Sequence, residues 1–386
     1  MSEPIKIPIP APESYSPKSR PEIISMAVED ILPAAVEELQ AYISSGGEPP
    51  KSGKIAGIRR LWHDDKSENF YLEGCLTAVM NAIGENPKYD YPFFLALCGG
   101  FFTQPYCHYS NHADASAGFT SAFNPGLVKH VCKLCGYDCM YIDCDTINGY
   151  YDLVMDVIKT TVNKGVPVIT KGIGNARCGK TFYDPLPEWS NIGGYNNNDV
   201  LLVNVYPEGI PTDEYGYIEI KDGLKKSRGL FVLKDKFIEP DINDLLKQAL
   251  YSIPVLISMP EIDGYSFGQK AYYDWADGLL TDEDFTEENI CSGISWKKQN
   301  GPFVANATMG YYFREHYDRV FSGIKDRELV KKVKEIYSKM GHVPYPQTKE
   351  FFVTNEEIAN PEMRKALSEK WRIVGDLHNE LFELFK

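Results

Sequence analysis

The sequence predicts an α+β fold in two structural units, and three observations carry that expectation. Helical patterns precede a cluster of short apolar runs lying between about 137 and 205. Two of those runs are joined by Asn196, Asn197 and Asn198, a hairpin signal. From about 236 the pattern returns to helical spacing. Helices preceding a strand cluster give α+β. The chain has 386 residues, 43% of them hydrophobic and 13% aromatic, and a single core stops growing at roughly 250–300 residues, so a second unit is expected.

Taken in order, residues 1–21 are Pro-rich and polar and read as an extended arm. Residues 22–45, EIISMAVEDILPAAVEELQAYISS, place apolar side chains at helical spacing and run into the linker SSGGEPPKSGK. The boundaries expected are therefore 1–52 for the arm and first helix, 53–235 for the catalytic unit and 236–386 for a mainly helical unit. Within the middle segment, helices are predicted at 75–84 (CLTAVMNAIG), 92–98, 125–135 and 150–164, and strands at 137–143, 166–171, 189–195 and 199–205. A long polar loop, FFTQPYCHYSNHADASAGFTSAF, occupies 101–123, and a turn-rich insertion separates the second and third strands. In the last segment, 326–340 and 361–385 are long amphipathic helices, and no internal repeat is found.

Composition excludes several classes of function. No run approaches the roughly 18 uninterrupted apolar residues of a membrane helix, and MSEPIKIPIPAPESYSPKSRPE has no apolar core of a secretory signal, so a cytoplasmic protein is expected. Nine cysteines in so long a chain, an odd number, read as reduced thiols rather than a disulfide framework. A net charge of −14 repels nucleic acid and anionic lipid and favours a small cationic substrate such as an amine.

The candidate nucleophile is Cys75. In NFYLEGCLTAVMNAIGE it follows Gly74 and opens the predicted helix, where free backbone N–H groups and the helix dipole lower a thiol's pKa and bind an oxyanion. Against this stands the commonness of buried, inert cysteines.

Several segments together resemble one family. CLTAVMNAIG at 75–84, LALCGGFFTQPY at 95–106, CGYD at 135–138, GVPVI at 165–169 and GGYNNNDVLLVNV at 193–205 are similar in order and spacing to the N-terminal domain of butirosin biosynthesis protein H. GYSFGQKAYYDWADGL at 264–279 and MGYYFREHYDRVF at 309–321 are similar to the helical domain that follows it. The amide-forming cysteine-protease homologue of closthioamide assembly is a second candidate relative. The resemblance implies a papain-like cysteine-peptidase scaffold followed by a mainly helical second domain. It implies an acyltransferase that takes an acyl chain from an acyl or peptidyl carrier protein onto Cys75 and passes it to an amine. No separate cofactor or metal is implied, since the substrate rides on the carrier's phosphopantetheine. A cysteine peptidase or amide hydrolase, and a binding protein with a degenerate site, are the alternatives on the same scaffold.

The chain departs from the family at the base. The family's histidine stands six residues before the Gly of the GY strand motif, and counting back from Gly194 gives Glu188. The family's following Asp is also missing, with Asn204 and Tyr206 near its place, and an Asn can orient a papain-type imidazole. Proton transfer then falls to Glu188 or to His108 or His112 from the 101–123 loop, which also holds Asp114.

Three other motifs compete. GNARCGKT at 174–181 fits the phosphate-loop pattern, but TFYDPLPEWS follows, and Pro185 and Pro187 forbid the helix such a loop must open. Arg177 and Lys180 remain candidates for an anion such as the pantetheine phosphate. Cys132, Cys135, Cys139 and Cys144, with His130 ahead of them, suggest zinc, but they are spread over a predicted helix and strand, so core packing is expected. The basic run KDRELVKKVKEIYSK at 325–339 is a solvated helix face or a docking patch for an acidic carrier protein.

Overall fold

A computed structural model describes residues 31–61, 68, 70–106, 123–174, 176–178, 181–183, 188–197, 199–204, 217–261, 264–341 and 354–386. The elements run α1 (Val36–Ser44), β1 (Ser52–Lys54), α2 (Tyr71–Ala82), α3 (Tyr91–Leu97), β2 (Pro105–Tyr106), α4 (Pro125–Leu134) and β3 (Tyr137–Asp143). Then follow α5 (Cys144–Gly149), α6 (Tyr151–Asn163), β4 (Val168–Lys171), β5 (Ala176–Cys178), β6 (Thr181–Tyr183), β7 (Trp189–Asn196), β8 (Val200–Asn204), β9 (Tyr217–Lys221) and β10 (Gly229–Lys236). The remainder is α7 (Ile242–Tyr251), α8 (Ile253–Leu256), β11 (Ser266–Phe267), α9 (Gly268–Gly278), α10 (Glu287–Cys291), α11 (Ile294–Val320), α12 (Arg327–Gly341), α13 (Asn355–Ala359) and α14 (Pro361–Glu383). The architecture is α+β, and its contacts divide the chain into two units. Their boundaries interleave: Asp30–Phe94 joins Pro125–Pro240, while Leu95–Asn124 joins Asp241–Lys386.

The first unit is built on one antiparallel sheet in the order β3-β10-β4-β7-β8-β9, with β1 also paired to β7. β4 takes the first half of one edge of β7 (Val168 opposite Ile192, Lys171 opposite Trp189), and β1 takes the second half (Lys54 opposite Gly194). The register shifts between Ile192 and Gly194, where the strand bulges. Gly193 is required there, because a Cβ would stand 1.9 Å from the Tyr217 hydroxyl. Since side chains alternate along a strand, Ile169, Lys171, Trp189 and Asn191 share one face, and Thr170, Ser190 and Ile192 the other. α2 covers the first face, its Cys75 carbonyl accepting from the Asn191 amide at 3.2 Å. α6 covers the second, its Asn163 accepting from the Tyr195 hydroxyl at 3.1 Å.

α2 begins at Tyr71, four residues ahead of the expected start at Cys75, and ends in a Schellman cap. Gly84 takes φ of 74°, its N–H donates to Asn81, and the Glu85 N–H donates to Met80. Every residue from Leu72 to Met80 is buried, the mark of a helix enclosed on all sides.

The second unit is helical, with the short ribbon of β2 and β11. α9 packs along α14, and Trp275 stacks on Trp371 with ring centroids 4.2 Å apart. The segment 101–106, expected in the catalytic unit, belongs here. The Tyr337 hydroxyl donates to the Phe102 carbonyl at 2.5 Å, Gly268 N–H donates to Thr103, and the Phe101 and Phe102 rings pack on Phe313, Phe321 and Tyr337.

Candidate active site

Cys75 lies on the second turn of α2, inside the helical hydrogen-bond ladder, and its side chain is fully buried. The expectation of a thiol at a helix opening, with free N–H groups and a lowered pKa, is corrected here. The Phe70 N–H at the cap donates to the Tyr91 hydroxyl at 2.8 Å, and the Gly74 N–H donates to the Phe70 carbonyl. Burial pushes the thiol well above its usual range. Glu73 adds to the rise, Lys171 opposes it, and Glu188 adds a further increment. A buried thiol with two carboxylates near it holds its proton, because the thiolate loses hydration and meets like charge.

Glu188, the residue counted to the place of the missing imidazole, is half-buried at the head of β7. Its carbonyl accepts from the Gly172 N–H at 3.3 Å, which ties it to the end of β4. That end carries Lys171, buried, with its ammonium 5.5 Å from the centre of the Trp189 ring. The topology thus brings Cys75, Glu188 and Lys171 together from three separate stretches. Lys171 was not among the expected site residues. Its signal in the sequence was a lysine closing the apolar run VPVIT, where burial on both sheet faces leaves a charge no route to water.

Asn191, on the same face, gives one amide hydrogen to the Cys75 carbonyl; its Oδ1 is buried with no partner among the described residues. Asn204, expected near a catalytic imidazole, is committed to the backbone instead. Its amide donates to the Arg59 carbonyl at 2.9 Å and its oxygen accepts from the Leu61 N–H at 3.3 Å. Arg59 in turn pairs with buried Glu68 at 2.8 Å. His108, His112 and Asp114 of the polar loop, and Tyr206, lie outside the described residues.

No family model matches this chain, and no curated protein matches it either.

GNARCGKT spans a β-hairpin: Cys178 pairs with Thr181, and strand β6 follows where a phosphate loop requires a helix. The side chains of Arg177 and Lys180 lie outside the described residues. Cys132 and Cys135 at α4 and Cys139 in β3 are buried, while Cys144 at the start of α5 is exposed. Among the described residues no group of three or more His, Cys, Asp or Glu is placed to hold a metal ion. In the helical unit, Tyr272, Trp275 and Phe313 are buried in its aromatic core, and Tyr311 lies edge-on to Tyr312. Of the six cations in the basic run 325–339, three pair with acids: Lys334 with Asp318, Lys331 with Glu335 at 3.8 Å and Lys339 with Glu380 at 3.3 Å. Among the described residues no helix is long and apolar enough to cross a membrane.

Proposed function

We propose that this chain is a cytoplasmic, cysteine-dependent acyltransferase of papain-like architecture, related to the butirosin-type enzymes, which moves an acyl chain from a carrier-protein thioester through Cys75 onto a small amine. What supports the reading is that Glu188 directly precedes β7, the strand whose Asn191 donates to the Cys75 carbonyl and which would hold the imidazole in a papain-type site. A nucleophile paired with a proton-accepting group is the minimum that acyl transfer through cysteine demands.

In the first step the Cys75 sulfur attacks the thioester carbonyl, the bond to the pantetheine sulfur breaks, and the thiol's proton leaves with that sulfur. In the second, the amine nitrogen attacks the acyl-cysteine and loses a proton to Glu188. The Cys75 sulfur departs and takes the proton back.

A second reading is favoured by one observation: the raised pKa of Cys75 is what a non-catalytic core cysteine would have, and it fits a binding protein with a degenerate site. Amide formation from a carrier-bound acyl thioester and a small amine, followed by mass spectrometry, separates the two. Turnover lost in Cys75→Ala supports the transferase, and absence of product from the wild-type chain supports the binding protein. His108→Ala, His112→Ala and Glu188→Gln measured beside them assign the base. Glu188→Gln is expected to be the damaging change, by roughly 10²-fold or more.

A further inference from the structure

Resting on the reading of Cys75 as a nucleophile, we propose that Lys171 is the positioning residue whose ammonium stands as counter-ion to the Cys75 thiolate, in the role that an imidazolium fills in papain-type sites. Lys171 ends β4, opposite Trp189, and so projects from the sheet face that α2 covers. Two residues along β7 on that same face, Asn191 fixes α2 by its bond to the Cys75 carbonyl. The lysine is 5% exposed and is backed by the Trp189 ring, so its charge faces a water-poor interior where its field is weakly screened. A buried ammonium is costly unless anionic groups share its site. Glu188 is held beside Lys171 by the Gly172 N–H bond to its backbone carbonyl, its charge acts on the same thiol, and the Cys75 thiolate would supply an anion to the site.

The groups facing the thiol divide by sign. Among the described residues, Glu73 from α2 and Glu188 from the head of β7 hold the proton on sulfur, and Lys171 from β4 is a cation that favours its loss. Glu68, beside Gly74, is already neutralised by Arg59. Unlike an imidazolium, an ammonium does not hand its proton to an amine near neutral pH. Lys171 therefore sets the charge state while Glu188 carries the proton, a separation of two tasks that one histidine performs elsewhere.

The test is the pH profile of Cys75 alkylation by iodoacetamide, with the modified cysteine located by peptide mass mapping of the full chain. Lys171→Met keeps the side-chain volume and removes the charge, and the midpoint is expected to rise by about one pH unit or more. Lys171→Arg keeps the charge and is expected to stay near the wild-type midpoint. Glu188→Gln is expected to move it downward. If Lys171→Met does not fold, Lys171→Gln is measured in its place. An unchanged midpoint in the uncharged variant, with amide formation still intact, overturns the counter-ion role and leaves the transferase standing. A raised midpoint in a chain that forms no amide supports the ion pair and overturns the transferase.

Discussion

His378 makes the stability of the helical unit depend on pH in a way that can be worked out in advance. The ring is fully buried on α14, 5.1 Å from the Tyr272 ring, with Nδ1 donating to the Val374 carbonyl at 2.9 Å. Its Nε2 is buried with no partner among the described residues. Protonation would create a charged donor in an apolar site, and burial pushes the pKa from 6.5 down to about 4. The unfolded chain therefore binds the proton first as pH falls. Stability from this group is complete above pH 6.5, falls by about 1.4 kcal/mol per pH unit below it, and levels off below pH 4. The loss is about 2 kcal/mol at pH 5 and about 3 kcal/mol at full protonation. Urea unfolding at pH 7 and pH 5, followed by tryptophan fluorescence, compares the wild type with His378→Phe. The aromatic variant fits beside Tyr272 and cannot titrate, so it is expected to lose about 2 kcal/mol less over that interval. Parallel losses in the two proteins would refute the argument, because all other titrating groups, His130 included, are common to both.

Three further outcomes follow from the packing and the motif placement. Trp371→Ala removes a buried ring stacked on Trp275 and is expected to cost about 3–5 kcal/mol in urea unfolding. Gly193→Ala forces a methyl against the Tyr217 hydroxyl at the bulge of β7, and a loss of about 1–3 kcal/mol is expected by the same measurement. Calorimetry with ATP and magnesium should detect no micromolar binding, since GNARCGKT is a hairpin; an affinity abolished in Lys180→Ala would contradict that placement.

The parts of the fold legible in the sequence were those with local causes. β3 was expected at 137–143 and occupies Tyr137–Asp143, and the Asn-rich turn joins β7 and β8, with Asn197 at φ of 56°. α12 and α14 followed from amphipathic spacing. β9 and β10 were not expected. GLFVL in β10 is a continuous apolar run without alternation, because it lies between β3 and β4 and is enclosed on both sides. The start of α2 was placed four residues late because Gly74 reads locally as a helix breaker, and tertiary burial of Leu72 through Met80 overrides that weak preference. In the site, Glu188 could be reached by counting from the GGY motif. The meeting of Lys171 with Cys75 could not, since it depends on the β4–β7 register and on which face α2 covers.

The central claim is that Cys75 carries the acyl group, and the intact mass of the full chain after exposure to an acyl thioester of phosphopantetheine, with no amine present, tests it most directly. A single added acyl mass is predicted for the wild type, mapped to the peptide containing Cys75, discharged when amine is added and absent in Cys75→Ala. An unmodified wild-type chain, or equal labelling of wild type and Cys75→Ala, would contradict the account.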